Sequence, residues 1–481
     1  MKGLNRRQFG KLAAGPAALA FAGVSLPKTA LAQPQPDARQ FPRGFVWGCS
    51  TASYQVEGAV KEDGRKPSIW DTFSHTPGKI VNNDNGDVAD DSYHLYKEDV
   101  RLLCELGVNS HHFSVAWPRV FPNGTGQPNP KGLDYYDRFI DELLAHRIVP
   151  YVDLYVWDLP QASPGGWQSR DTAKAFADYA AYVTRHLSDR VQHFFTVNEC
   201  SSFVGIGYGE GRHAPGLKLP PGELNQVRHH ALLAHGLGLK AIRANTPSST
   251  KVGFVDMPRA MVPVIETPEH IAAAQRAMRE ENAPYLTAFL EGKYIESYLE
   301  AAGKNAPRIE PGDMEAIGAP VDYIGLNVYT PDYVRADDSK RGYAVLPNPP
   351  SAPRMKSSWL HIDPEVMYWA IRHVSELWKP RGIYITETGA SSDDVVTAEG
   401  RVEDTDRVMY LRNYSFNLHR AVAEGYPVKG LFVWSVIDNF EWDRGYSERF
   451  GLHYVDYETQ KRIPKLSAEW YRSVIAANAV V

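Results

Sequence analysis

Short strand-forming runs alternate with helix-forming stretches along almost the whole chain. The candidate strands are Phe45–Gly48, Val108–Ala116, Ile148–Tyr155, His193–Asn198, Lys251–Val255, Asp322–Asn327, Gly382–Thr386 and Lys429–Trp434. The helical patterns between them are Leu95–Leu106, Asp134–His146, Asp171–Leu187, Leu224–Asn245, Pro364–Trp378 and Asp406–Ala423. Several strand runs are apolar on both faces, as expected for strands covered on both sides. The alternation predicts a single α/β domain, a (β/α)8 TIM barrel over residues 41–481.

An open, doubly wound sheet is the alternative arrangement for the same alternation. Such a sheet normally carries a glycine-rich phosphate-binding turn after its first strand. The first candidate strand ends in Gly48-Cys49-Ser50, which does not supply that turn. The barrel is therefore the favoured architecture.

The first 32 residues have the features of a targeting segment. They carry five Lys or Arg and no Asp or Glu, with Arg6-Arg7 ahead of an Ala-rich, weakly apolar stretch. Ala30-Leu31-Ala32 offers small residues at a cleavage position. The pattern predicts a twin-arginine signal peptide over 1–32, followed by a short Pro-containing linker over 33–40. The alternative is a first amphipathic helix of the folded domain. We expect a periplasmic or secreted protein, with no membrane association after signal removal.

Charge and cysteine content exclude several classes of protein. The formal net charge of −5 argues against nucleic acid as a partner, because phosphate binding needs a basic surface. Three Cys in 481 residues exclude a disulfide scaffold. Two adjacent His pairs, His111-His112 and His229-His230, lack the spacing of a metal site, and we expect packed histidines and no metal.

Polar and aromatic residues follow the ends of several predicted strands. In a barrel of this kind the chemistry lies at the carboxyl ends of the strands. Glu199 follows the fourth strand and Glu387 follows the seventh. Two carboxyl groups at such positions suit the cleavage of a glycosidic bond, in which one group protonates the leaving oxygen and the other attacks the sugar carbon. The neighbouring Trp, Tyr and Asn residues suit sugar binding through stacking and hydrogen bonds.

From about Phe41 onward the chain resembles glycoside hydrolase family 1, the β-glucosidase family. The motifs that carry the resemblance occur in family order. They are Phe45-Val46-Trp47-Gly48, Thr51-Ala52-Ser53-Tyr54-Gln55-Val56-Glu57-Gly58, Ser68-Ile69-Trp70-Asp71-Thr72-Phe73, Gly86-Asp87-Val88-Ala89-Asp90, Thr196-Val197-Asn198-Glu199, Gly207-Tyr208-Gly209, His213-Ala214-Pro215-Gly216, Gly325-Leu326-Asn327, Ile385-Thr386-Glu387, Val433-Trp434-Ser435 and Asp438-Asn439-Phe440-Glu441-Trp442.

The resemblance implies a role for each matching residue. Glu199 would be the general acid/base and Glu387 the nucleophile that forms a covalent glycosyl-enzyme. Tyr329 would hydrogen-bond the nucleophile, and Asn198 would bind the sugar's 2-hydroxyl. The remaining candidates for substrate binding are Gln55, Trp157, Asn327, Trp434, Glu441 and Trp442. Neither a metal nor an organic cofactor is implied, and the expected partner is a small glycoside or oligosaccharide.

Four positions beside this machinery depart from the family pattern. Val156 replaces the His of His-Trp-Asp, which contacts the 3-hydroxyl region of the sugar. His112 replaces an Arg that lies near the nucleophile, so the positive charge there becomes pH-dependent. Cys200 stands in place of the Pro after the acid/base, and Thr388 in place of the Asn after the nucleophile.

These departures, with both Glu retained, predict a retaining β-glycosidase with altered glycone recognition, in particular near the 3-position. An ordinary β-glucosidase is the alternative within the same class. A transglycosylase and a sugar-binding protein without hydrolytic activity are alternatives from other classes.

Overall fold

The structure is a computed structural model, and it describes residues 39–481. In this part of the chain, eight parallel strands close into a barrel in sequential order, so the predicted barrel is confirmed. The barrel strands β1–β8 are Val46–Thr51, Ser110–Ser114, Val149–Asp153, His193–Asn198, Lys251–Asp256, Ile324–Asn327, Ile383–Glu387 and Val428–Trp434. All eight predicted strands are present, with ends that differ from the prediction by a few residues.

One long helix follows each barrel strand. These helices, α1–α8, are Ser92–Leu106, Pro130–Ala145, Arg170–Leu187, Pro221–Asn245, Pro268–Glu281, Glu365–Trp378, Thr405–Ala423 and Leu466–Ala477. The sequence patterns identified six of them and missed α5 and α8. Helix ends follow local chemistry: Ser169 caps α3 through its side chain, and Gly107 ends α1 in a left-handed conformation.

The connections carry short additional elements. Short helices and turns comprise Ser53–Val56, Ile69–Ser74, Val81–Asn83, Trp117–Val120, Gly166–Gln168, Cys200–Val204, Gly205–Glu210, Leu286–Glu291, Glu296–Ala302, Gly303–Asn305, Asp313–Ile317 and Trp442–Arg444. A three-stranded sheet combines Ala260–Pro263, Pro331–Ala336 and Tyr343–Leu346, and a hairpin pairs His453–Asp456 with Lys461–Pro464. None of these strands was predicted.

The lower part of the barrel interior is filled by aromatic side chains. Tyr151 on β3 contacts Tyr384 on β7, with ring centroids 5.3 Å apart, although these strands are not neighbours in the sheet. Contact between strands on opposite sides requires both rings to lie inside the barrel. They form one cluster with Phe195, Tyr323 and Phe432. This packed floor confines an internal cavity to the carboxyl ends of the strands.

The N-terminal predictions fall mostly outside the described residues. The predicted signal peptide over 1–32 lies entirely outside them, as does most of the predicted linker over 33–40. Gln40, at the end of the predicted linker, pairs with Ala479, and the backbone N–H of Phe41 donates to the Asn478 carbonyl at 2.8 Å. Among the residues described, no helix has the length and apolar character needed to cross a membrane.

Candidate active site

A cavity of about 240 Å³ opens at the carboxyl ends of the barrel strands. It brings together every predicted site residue except His112 and Asn327. The predicted residues that line it are Gln55, Val156, Trp157, Asn198, Glu199, Tyr329, Glu387, Trp434, Glu441 and Trp442. These residues come from the ends of β1, β3, β4, β6, β7 and β8, as the fold predicts.

Glu199 directly follows β4 and has left-handed backbone angles, with φ of 52°. A positive φ at a residue other than glycine is strained and has to be held by the surroundings. The backbone N–H of Glu199 donates to the Val255 carbonyl at 3.0 Å, and the side-chain Nδ2 of Asn327 donates to Glu199 Oε1 at 2.6 Å. The carboxyl group is therefore fixed at both its backbone and its side chain.

Glu387 is the last residue of β7 and is also buried. The hydroxyl of Tyr329 donates to Glu387 Oε2 at 2.9 Å. Tyr329 is itself held by the Tyr414 hydroxyl, which donates to the Tyr329 carbonyl at 2.7 Å. At Gly389, two residues further on, a Cβ would lie 1.9 Å from the Trp434 carbonyl oxygen. This glycine is required for the close approach of the β7 and β8 connections.

Asn327 links the two carboxyl groups without lining the cavity. Its Nδ2 also donates to Asn198 Oδ1 at 3.2 Å, and its Oδ1 accepts from the Thr386 hydroxyl at 2.7 Å. The ends of β4, β6 and β7 are thus connected by side-chain hydrogen bonds. This network fixes the relative positions of Glu199 and Glu387.

Burial raises the pKa of both carboxyl groups, and the charge of Glu199 raises the pKa of Glu387 further. Two close carboxyl groups in a buried site resist being ionised together, so the pair retains a proton. The Tyr329 hydroxyl stabilises the ionised form of Glu387. Asn327 occupies only Oε1 of Glu199, which leaves Oε2 able to carry the proton. The pair can therefore act with Glu387 ionised and its one proton on Oε2 of Glu199.

One wall of the cavity is mainly apolar and aromatic. The indoles of Trp157 and Trp442 stack with centroids 4.4 Å apart, and Val156 lines the cavity next to Trp157. Gln55 Nε2 donates to Asn439 Oδ1 at 3.1 Å and to the Phe440 carbonyl at 2.8 Å. The Gln55 side-chain oxygen remains available as an acceptor for a ligand hydroxyl. Trp157 and Trp442 both have positive φ, at 70° and 45°.

Several residues of the cavity were not predicted from the sequence. They are Ile206, Arg212, His213, Met257, Trp359, Asp443, Arg444 and Phe450. Asp443 accepts from His213 Nε2 at 3.1 Å and from Arg212 Nη1 at 3.2 Å, which ties the β4 and β8 connections together. Trp359 is 40% exposed and stands edge-on to Tyr329 at 5.5 Å. These residues lie in long connections, where no strand or helix pattern indicates which side chains face the cavity.

His112 does not line the cavity but lies inside the barrel. Its Nδ1 is 3.2 Å from the Ser50 hydroxyl, and its Nε2 is 3.7 Å from Asp153 Oδ2. Asp153 and Asp256 are further buried carboxyl groups missed by the sequence analysis, and each is the last residue of its strand. Burial and the charge of Glu199 raise the pKa of Asp256 to about 7. The strand-end rule that selected Glu387 applies to Asp256, which directly follows the predicted fifth strand, whereas the predicted third strand runs two residues past Asp153.

The adjacent histidine pairs have structural partners. His229 contacts the Tyr294 hydroxyl at 3.0 Å and Asp313 Oδ2 at 2.9 Å. Within residues 39–481, no group of three or more His, Cys, Asp or Glu side chains is arranged to hold a metal ion.

Comparison with known proteins assigns the chain to a family. The model of glycosyl hydrolase family 1 matches residues 37–480. The chain belongs to glycosyl hydrolase family 1. This family 1 enzyme is therefore a glycosidase, as the sequence motifs predicted. It is 42% identical over 448 residues to β-glucosidase A of Thermotoga maritima, covering 92% of this chain and 99% of the relative. It is 39% identical over 463 residues to a bifunctional β-D-glucosidase/β-D-fucosidase of Bifidobacterium breve, with 91% and 98% covered.

Solved structures of family 1 share the same fold. The family 1 β-glucosidase from Thermotoga maritima superposes with a TM-score of 0.85 at 41% identity, covering 92% of this family 1 chain and all of the other. A second structure, that enzyme in complex with glucoimidazole, has a TM-score of 0.84 at 41% identity, with 92% and 99% covered.

Proposed function

We propose that this protein is an exported, retaining β-glycosidase whose glycone recognition is altered at the 3-position. The observation that carries the hydrolytic part is the pairing of two buried carboxyl groups in one cavity, joined through Asn327, with Tyr329 bonded to Glu387. The relatives named as β-glucosidases support the same reaction class.

The geometry supports a double displacement. Ionised Glu387 attacks the anomeric carbon while Glu199 gives its proton to the leaving oxygen, which yields a covalent glycosyl-enzyme and a free alcohol. Glu199, now ionised, takes a proton from water as the water oxygen attacks the anomeric carbon. Cleavage of the ester bond restores the Glu387 carboxylate. Each carboxyl group thus returns to its starting state.

The altered glycone recognition rests on Val156. Its side chain has no polar atom, and it lines the cavity beside the Trp157–Trp442 stack. A hydroxyl pressed against this wall loses water without gaining a hydrogen bond, which costs binding. A glycone with a smaller or less polar group at this position avoids that cost. Plain β-glucoside is the second candidate substrate, because several relatives are named β-glucosidases.

The first experiment measures release of 4-nitrophenol from a panel of aryl β-glycosides, with the chain from Gln33 onward. The panel contains the glucoside, galactoside, fucoside, xyloside and arabinosides, together with 3-deoxy- and 3-O-methyl-glucosides. Preference for a glycone altered at position 3 supports the proposal, and a preference for plain glucoside supports the second candidate. Added methanol distinguishes a transglycosylase by the methyl glycoside that it produces. Binding without turnover of any member would contradict hydrolysis.

The Val156→His variant tests the specificity proposal. We expect the ratio of kcat/KM for the β-glucoside to kcat/KM for its 3-deoxy analogue to rise by roughly 10- to 100-fold. The reason is that an imidazole in this wall can hydrogen-bond a 3-hydroxyl but is left unpaired by the deoxy sugar. Val156→Leu is the control, because it keeps the wall apolar and should leave the ratio within about threefold. An unchanged ratio in Val156→His would show that position 156 does not recognise this hydroxyl.

Export by the twin-arginine route is the proposal that rests on residues 1–32. Replacing both Arg6 and Arg7 with Lys is expected to keep the full-length protein in the cytoplasm, because the paired arginines are the recognition element of this route. The measurement is glycosidase activity, or antibody detection, in separated cell fractions. Arg39→Lys is the matched control and should be exported normally. Unimpaired export of the double variant would contradict the assignment.

A further inference from the structure

A buried pair of ionisable side chains lies inside the barrel, outside the cavity. His112 on β2 and Asp153 at the end of β3 face each other, with His112 Nε2 3.7 Å from Asp153 Oδ2. Both residues are at most 2% exposed. Within the described residues neither of these two atoms has a hydrogen-bond partner, so each depends on the other for charge compensation. An unpaired buried charge is costly, and a shared proton removes that cost.

The surroundings of the pair contain few other titratable groups. His111, which precedes His112 on β2, points away from His112 towards the Cys49 carbonyl. Burial lowers the pKa of His111 to about 3. The His112 ring packs against Phe195 on β4 and Phe432 on β8, at 5.1 and 5.7 Å. On β1 it contacts the hydroxyl of Ser50 at 3.2 Å.

Two tyrosines complete the floor around the pair. They are Tyr151 on β3 and Tyr384 on β7. The two rings contact each other, and Tyr151 also contacts Phe432. Burial raises the pKa of both hydroxyls, so they stay neutral. Other ionisable groups near Asp153 are Tyr179 on α3, Cys200 after β4 and the two carboxyl groups at the ends of β4 and β7.

The pair is coupled to the proposed catalytic carboxyl groups in two ways. The Ser50 hydroxyl, which contacts His112, donates to the carbonyl of Thr386 at 2.7 Å, and Thr386 immediately precedes Glu387. The negative charge of Asp153 also raises the pKa of Glu199 and of Glu387, after the larger effect of burial. A charge that appears on the pair therefore acts on both groups through a low-dielectric interior.

We propose that His112 and Asp153 are positioning residues that act as one charged unit, and that an uncompensated Asp153 charge keeps the proton on Glu199 at higher pH. This inference rests on the proposed role of Glu199 as the general acid. With one proton on the pair its net charge is zero, and without that proton the net charge is −1. The alkaline limb of the pH profile, which reports deprotonation of Glu199, should follow this charge.

Two variants of opposite chemistry are expected to shift the alkaline limb in the same direction. Asp153→Asn removes the negative charge, and His112→Arg compensates it permanently. Each should move the alkaline limb of kcat/KM to lower pH by roughly half a unit or more. His112→Gln keeps the Asp153 charge and should not lower the limb. The measurement is kcat/KM between pH 4 and 9 on the best substrate of the panel, with His111→Gln as control for a buried histidine on the same strand.

A structural role alone predicts a different result. Packing defects would lower kcat or the melting temperature in all three variants. The pH of the alkaline limb would then not follow the charge of the His112–Asp153 pair. The inference is overturned if Asp153→Asn and His112→Arg leave the alkaline limb at its wild-type position, or if His112→Gln lowers it equally. The His111→Gln control should keep the wild-type limb.

A second measurement does not depend on turnover or on folding of the Asp153 variant. Histidine-selective ¹⁵N labelling reports the ring nitrogens of His112, assigned by their absence in His112→Gln. By reciprocity, Glu199→Gln should shift the His112 titration to lower pH, because a nearby negative charge has been removed. An identical titration in both proteins contradicts the coupling. Failure of the proposed function shows instead as absence of turnover in the wild-type enzyme, whatever the NMR result.

Discussion

Replacing Glu387 with glutamine is expected to lower kcat for every cleaved glycoside by roughly 10⁴-fold or more. The amide cannot form the glycosyl ester that the double displacement requires. Glutamine keeps the size of the side chain, and its oxygen can still accept from the Tyr329 hydroxyl. The fold should therefore be retained, and the melting temperature should not fall by more than a few degrees, because a buried ionisable group has been removed.

The measurement is initial-rate kinetics on the aryl glycoside panel, together with thermal unfolding. Glu403→Gln is the matched control, since Glu403 lies in the same β7–α7 connection and is exposed. It should keep wild-type kinetics. A loss of less than about tenfold in Glu387→Gln would exclude Glu387 as the nucleophile. Glu387→Ala adds a chemical check: added azide should restore cleavage and give a glycosyl azide of inverted configuration, because the anion attacks in place of the missing carboxylate.

The predictable part of the site follows from one geometric rule. Parallel barrel strands end at one rim, so residues such as Glu387 and Trp434 at neighbouring strand ends must meet there. The rule applies equally to Asp256, which directly follows the predicted fifth strand, whereas Asp153 was missed because the predicted third strand extends to Tyr155. Position in the fold is therefore a more complete guide to buried carboxyl groups than motif matching.

Other features depend on tertiary contacts that no local pattern encodes. The left-handed backbone of Glu199 is imposed by the ends of β4 and β5, where its N–H reaches Val255. The Trp157–Trp442 stack joins connections 285 positions apart in sequence. The three-stranded sheet beside the barrel forms from short runs within the connections, where packing against α5 decides the conformation.

Helix α5 is a different case, because the local sequence does indicate where the helix begins. Thr267 precedes Pro268, and its side chain caps the helix by accepting from the His270 N–H. A capping residue followed by Pro and an acidic first turn predicts a helix start. The segment was missed because it is rich in Ala and charged residues and contains few large apolar side chains. Capping signals thus recover helices that periodicity alone does not.

Replacing Glu199 with glutamine is expected to have an effect that depends on the leaving group. Cleavage of a disaccharide or alkyl glycoside should fall by roughly 10²- to 10⁴-fold, because its leaving alkoxide must be protonated as the bond breaks. A 2,4-dinitrophenyl glycoside leaves without protonation, so its bond-cleavage step should slow by less than about tenfold. Turnover of that substrate should then show a burst, since hydrolysis of the glycosyl-enzyme still needs Glu199 as the base.

The pH dependence of kcat/KM provides an independent test of the role of Glu199. Burial raises the pKa of Glu199, so the protonated form persists above the usual range of a glutamic acid and is lost as pH rises through that raised value. The alkaline limb of kcat/KM for the disaccharide should therefore disappear in Glu199→Gln. Glu210→Gln, a change at an exposed residue of the same connection, should keep it. Equal losses for all leaving groups, with the alkaline limb retained, would assign proton transfer to another group, and Asp256 at the end of β5 would be the first to examine.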